Sequence, residues 1–157
     1  RTLYAGPTRP VWAADVTRVG KASSQGTFAA FAARLGVPEA DLQADAIGSS
    51  NGEVLALVAA QRQAIGYVSW ADARQAVRSG APIRIIPVDG IAPTMETIAE
   101  RLYPLTHRIY VVVPRQGLQG HARAFLDLLR GPVGAMALEQ AGLPPYKAGV
   151  SGQRGFP

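Results

Sequence analysis

A single α/β domain with a largely parallel sheet is the fold class that this sequence predicts. Short β-branched runs alternate with apolar stretches at helical spacing along most of the 157 residues. Hydrophobic residues make up 48% of the chain, enough for one sizeable core and too many for a disordered one. No internal repeat and no low-complexity run breaks the alternation.

The elements follow in order. Residues 16–20 read as a short strand, and 27–35 (TFAAFAARL) as a helix with Phe28, Phe31 and Leu35 on one face. A second strand is predicted at 44–47 and a second helix at 53–62, its face marked by Val54, Leu57, Val58 and Gln61. Residues 64–69 (AIGYVS) read as a buried strand, and 71–78 as a helix ended by Gly80. Residues 83–88 are extended, with Pro87 marking an end or an edge, and Asp89-Gly90 begins a turn. Thr94 is placed to N-cap a helix running to Arg101, with Glu96 near the positive end of its dipole. Residues 108–113 (RIYVVV) are the strongest strand candidate in the chain. Helices are predicted at 120–130 and 132–140, the second stopped by Gly142 and Pro144-Pro145, and the tail after Tyr146 reads as loop.

Composition narrows the function classes. The net charge is +5, from 16 basic and 11 acidic residues, and 14 of the basic residues are scattered arginines. Nucleic-acid binders gather such charge in a stripe with aromatics between, and none is visible. A mildly cationic surface steers small anions, although a solvated Arg-rich surface accounts for the same residues more simply. Trp12, Trp70, Tyr4, Tyr67 and Tyr110 fit core or hinge packing better than a platform for bases. Cysteine is absent, which excludes thiolate metal sites and disulfides. His107 and His121 have no metal-ligand spacing and are expected at the surface, so neither a metal nor another cofactor is called for. The longest apolar stretches, 54–60 and 109–113, fall short of the ~20 residues that span a membrane. No basic-plus-apolar leader is read at Arg1, so a mature chain or an excised piece is expected.

The informative segment runs from Gly20 to Phe28 (GKASSQGTF). A strand ends, a small polar loop follows, and a helix opens near Gly26. A helix start exposes unpaired N–H groups and the positive end of a dipole, which together suit an anion. Gly26 permits close approach, Thr27 adds a hydroxyl, Ser24 and Gln25 add polar side chains, and Lys21 adds a full charge. The same residue types are ordinary capping and turn residues.

Six motifs stand in register along the chain. They are Leu3-Tyr4-Ala5-Gly6 leading to Trp12-Ala13-Ala14-Asp15; Lys21 with Gln25-Gly26-Thr27 and Phe31; and Ala64-Ile65-Gly66-Tyr67-Val68-Ser69. Val88-Asp89-Gly90-Ile91-Ala92-Pro93-Thr94, Tyr103-Pro104-Leu105, and Phe125-Leu126-Asp127-Leu128-Leu129 followed by Gly134 and Gly142-Leu143-Pro144 complete the set. Together they resemble the phosphate-type periplasmic solute-binding proteins of ABC importers. The resemblance implies a type II periplasmic-binding-protein-like lobe with a mostly parallel sheet flanked by helices. It divides the single unit 1–157 into a lead-in or hinge (1–14), a second-lobe-like part (15–80), and a return segment with closing helices (81–157). It implies oxyanion binding at Lys21, Ser24, Gln25, Gly26 and Thr27, an ABC permease as partner, and export to the periplasm or cell exterior of a bacterium. Lysine stands where that family usually has arginine, and Gln25 where it has serine. A point charge thus replaces a planar fork, so an oxyanion is implied more firmly than phosphate. Much of the first lobe has no counterpart here. Either a first lobe supplied elsewhere or a second copy of the chain is then expected to close the cleft and to cover 109–113. A degenerate family member serving as a ligand-free assembly domain is the alternative.

One catalytic pattern also matches. Gly48-Ser49-Ser50-Asn51-Gly52 reads G-x-S-x-G between a strand and a helix, with Asp72, Asp89, His107 and His121 downstream as nominal partners for Ser50. Ser, Asn and Gly make an ordinary N-cap and turn there, the chain is short for that hydrolase fold, and no HGGG-type oxyanion segment exists. A binding module, not an enzyme, is the expectation.

Overall fold

The computed structural model describes residues 3–5 and 11–144. Three parallel strands form the sheet: β1 (Thr17–Lys21), β2 (Ala46–Gly48) and β3 (Ala64–Gly66), in the order β2-β1-β3. Val19 pairs with Ala46 on one side and Gly66 on the other, so β1 is the central strand. Helices α1 (Gly26–Leu35), α2 (Asn51–Ala59) and α3 (Trp70–Arg78) each follow a strand and therefore begin at the carboxyl edge of the sheet. The chain steps from β1 out to β2, then back past β1 to β3. Right-handed crossovers then put α1 and α2 on opposite faces.

The packing agrees with that topology. A Cβ on Gly48 would lie 2.6 Å from Val54 Cγ2, and one on Gly66 would lie 2.9 Å from Val54 Cγ1, so two missing side chains let α2 press Val54 onto the sheet. Val19 and Val54 are fully buried there. On the other face Phe31 of α1 stacks on Tyr67 at 3.9 Å, and Tyr4 meets both rings edge-on. The Tyr4 hydroxyl donates to Ile65 O at 2.9 Å, which satisfies the polar end of a buried ring. Arg18 grips Asp45 through two nitrogens, at 3.1 and 2.9 Å, and joins β1 to the approach to β2.

Beyond α3 the chain is more open. Asp89 and Gly90 both have positive φ (51° and 78°), and Val88 and Ile91 exchange backbone hydrogen bonds across them, so the predicted turn is a tight one. Thr94 caps α4 (Met95–Ala99) in a reciprocal box with Thr97; Glu100 closes this short helix, ahead of the predicted end at Arg101. Helices α5 (Gly120–Arg130) and α6 (Pro132–Gln140) have the predicted bounds and pack on each other. Gly134 is needed where the α5 backbone passes, since a Cβ there would lie 2.2 Å from Leu129 O. Gly142, at φ 76°, ends the pair against Ala71 of α3. The loop read after Tyr146, Pro145, Gly6 of the lead-in and the residues up to Pro10 lie outside the described residues.

Several boundaries move. The predicted strand at 64–69 stops at Gly66 because Ser69 already caps α3, and the helix read at 53–62 runs Asn51–Ala59. The larger correction is at 108–113. This segment forms no strand: none of its backbone groups is paired among the described residues, and Ile109, Val111 and Val112 are 73%, 61% and 91% exposed. Tyr110, expected in packing, is exposed too. Strand propensity measures fit to a neighbour, and among the described residues no second backbone pairs with this run.

Two outcomes follow. Gly48→Ala forces its new methyl into Val54 and should lower stability by about 1–3 kcal/mol in urea denaturation. In hydrogen exchange, the amides of 109–113 should exchange like unstructured chain while those of β1 are protected.

Candidate functional site

The carboxyl edge of this sheet gathers Lys21, the last residue of β1, and the starts of α1, α2 and α3. The strand order reverses about β1 here, and such a switch point is where open parallel sheets hold their ligands. The three helix starts differ. Ser50 caps α2 by accepting from the Glu53 amide at 3.1 Å, and Glu53 in turn accepts from the Ser49 amide at 2.8 Å. Ser69 caps α3 by accepting from the Asp72 amide at 3.2 Å. Each of these helices also carries an acid in its first turn. Helix α1 has neither device: Gln25 occupies the cap position without a side-chain bond, and no acid follows. The Phe28 amide is satisfied by Gln25 O at 2.8 Å, whereas no bond is formed by the Gly26 and Thr27 amides among the described residues. A Cβ on Gly26 would meet nothing within 4 Å, so the space before these amides is open.

The loop residues of the sequence reading are thus neighbours at one helix start. Ser24 and Gly26 are exposed, Gln25 and Thr27 partly so. Lys21 is placed differently from a solvent-facing cation. It is 2% exposed, its amide donates to the Tyr67 hydroxyl at 3.3 Å, and its ammonium donates to Asn51 Oδ1. Asn51 passes the contact on, donating through Nδ2 to Asp72 Oδ2, which also accepts from Ser69 Oγ at 2.5 Å. Burial pushes the Lys21 ammonium below its ordinary range, and the Asp72 carboxylate partly opposes this. Glu53, bonded by the Ser49 hydroxyl and amide, is held below the usual carboxylate range.

Sequence reasoning missed Asn51, Ser69 and Tyr67 as members of this edge, and met Asp72 only as a nominal triad partner. Their signal was positional: each stands within a few residues of a strand's carboxyl end. Ser50 is accounted for as a helix cap. Both histidines are exposed, and no group of three or more His, Asp or Glu that could hold a metal occurs among the described residues. His107 borders an open cavity with Arg34, Arg108 and Tyr110, away from Ser50 in the chain and in no contact with it. Also among the described residues, no helix is long and apolar enough to cross a membrane.

The cap assignment has a direct check. Ser50→Ala should cost about 1 kcal/mol in thermal or urea melts, as loss of an N-cap does, and a fluorophosphonate probe should leave the parent serine unlabelled.

No protein-family model matches the chain, and no curated protein matches it. Solved structures do. A protein from Clostridium perfringens, described as a phosphate ABC transporter substrate-binding protein and solved with bound phosphate, aligns with TM-score 0.69 and 22% identity over 84% of this chain and 52% of its own. PstS from Borrelia burgdorferi gives 0.60 and 21% over 84% and 53%. An ABC-type phosphate transport receptor from Vibrio cholerae gives 0.61 and 18% over 82% and 52%. The chain spans about half the length of each, and at these identities the likeness is one of fold: it has the α/β fold of about half of a phosphate-type substrate-binding protein.

Proposed function

We propose that this chain is a non-enzymatic binding module that takes a small, phosphate-like oxyanion at the start of α1, as part of a solute-binding protein serving an ABC importer. The observation that carries the reading is the contrast among the helix starts. Helices α2 and α3 satisfy their own first turns with Ser50, Glu53, Ser69 and Asp72, whereas α1 leaves the Gly26 and Thr27 amides without a partner among the described residues, before open space. Helix dipole and free amides favour an anion there. Thr27 offers its hydroxyl, Ser24 and Gln25 border the loop, and Lys21 supplies the positive charge behind it. The phosphate bound by the Clostridium perfringens protein supports the ligand class.

Residues 15–80 act in this reading as the second lobe and 81–157 as the return segment and closing helices. The other wall of the cleft comes from a first lobe or a second copy of the chain, and a permease receives the ligand on the outer side of a bacterial membrane. Two observations favour the second reading, a ligand-free assembly domain: the Lys21 ammonium is already bonded to Asn51, and residues 109–113 expose apolar surface.

Calorimetry with inorganic phosphate and with sulfate separates the two. The first reading expects binding that Lys21→Met weakens by about tenfold or more, the scale of one charge-assisted hydrogen bond. Unchanged affinity in that variant removes Lys21 from the site. Absence of binding in a preparation whose light scattering shows a stable self-assembly favours the second reading.

A further inference from the structure

The polar chain from Lys21 through Asn51 to Asp72 joins three elements far apart in sequence, and the oxyanion reading gives its last two members no role. Lys21 ends β1, Asn51 opens α2, and Asp72 lies in the first turn of α3. The ammonium donates to Asn51 Oδ1, and the same side chain donates through Nδ2 to Asp72 Oδ2. A primary amide suits the middle place because one end accepts while the other donates. Ser69 Oγ donates to the same carboxylate oxygen at 2.5 Å and holds it at the far end. We infer that Asn51 and Asp72 are positioning residues for Lys21: the amide fixes where the ammonium stands, and the carboxylate supplies the counter-charge for a lysine buried at the carboxyl edge of the sheet.

Burying a cation is costly without a partner. Lys21 is 2% exposed, and among the described residues no carboxylate is bonded to it directly. Among the described residues, few groups lie near it. Tyr67, just past β3, accepts from its backbone amide, and Glu53, the acid of the α2 first turn, is occupied by Ser49. Asp72 is left as the charge that opposes desolvation. An ammonium has three donors, and the relay takes one, so the lysine is anchored without being saturated. A direct ion pair would hold the charge more tightly and leave less of it for an incoming anion. The inference rests on the oxyanion proposal for the lysine's purpose, although the relay itself does not.

The protein has two lysines, Lys21 and Lys147, so ¹³C-lysine labelling of a Lys147→Arg background leaves one ε-methylene signal. Its NMR titration should lie below the ordinary lysine range. It should move further down in Asp72→Asn, which loses the counter-charge, and in Asn51→Ala, which loses the link. In Asn51→Asp it should move up, because a carboxylate then meets the ammonium directly. A helix cap or a packing role would not move this signal. An ordinary lysine titration in the parent, or a signal unmoved by Asp72→Asn, overturns the inference. Asp72 is exposed and its amide variant has the same shape, so that variant decides the matter if Asn51→Ala does not fold. No ligand enters the measurement: a negative result leaves the oxyanion site standing, and absent phosphate binding leaves the relay standing.

Discussion

Val54 seated against Gly48 and Gly66 is the contact on which the rest of the molecule depends. Glycines at the ends of both outer strands remove the side chains that would hold α2 away, and the helix comes down onto the sheet. Close approach turns one apolar contact into a positional constraint, because a core packed at this density cannot shift by a methyl group without strain. Asn51 lies one turn ahead of Val54 in the same helix, so the seat of Val54 also brings Asn51 to Lys21.

The carboxyl edge then collects positive potential from several sources at once. Three helix starts point there and a lysine is buried among them, while Asp72 and Glu53 return negative charge to two of the three helices. What remains uncompensated is the start of α1. Charge at this edge is therefore unevenly shared: among the described residues, no side-chain cap and no first-turn acid balances the start of α1. The hydroxyl of Tyr67 belongs to the same arrangement: its ring stacks on Phe31 of α1, and its oxygen receives the Lys21 amide, so the aromatic face and the polar edge are fixed by one side chain.

The second half of the chain is organised differently. Among the described residues, all the strands and the helices that cover them lie within residues 17–78. Helices α5 and α6 rely on each other and reach the sheet unit through Gly142 and Ala71, leaving Phe125, Leu128, Val133 and Met136 exposed. The extended run 109–113 shows apolar side chains on both of its faces, the pattern of an interior strand.

Much of this was legible in the sequence where the determining physics is local. Periodicity found the helices, with α5 and α6 at their observed bounds, and the turn chemistry of Asp89-Gly90 and the cap at Thr94 were readable because each needs only adjacent residues. The α1 start was legible for the same reason: Gln25-Gly26-Thr27 after a strand is a local pattern. Tertiary structure alone decided what Lys21 touches, since Asn51 meets it from 30 positions along the chain and links it to Asp72, 51 positions along, and only the parallel order β2-β1-β3 gathers those helix starts at one edge. It also decided against a strand at 108–113. The β-branched run states what those residues favour, but a strand exists only where a second backbone offers its hydrogen bonds, and that is a property of the assembled fold.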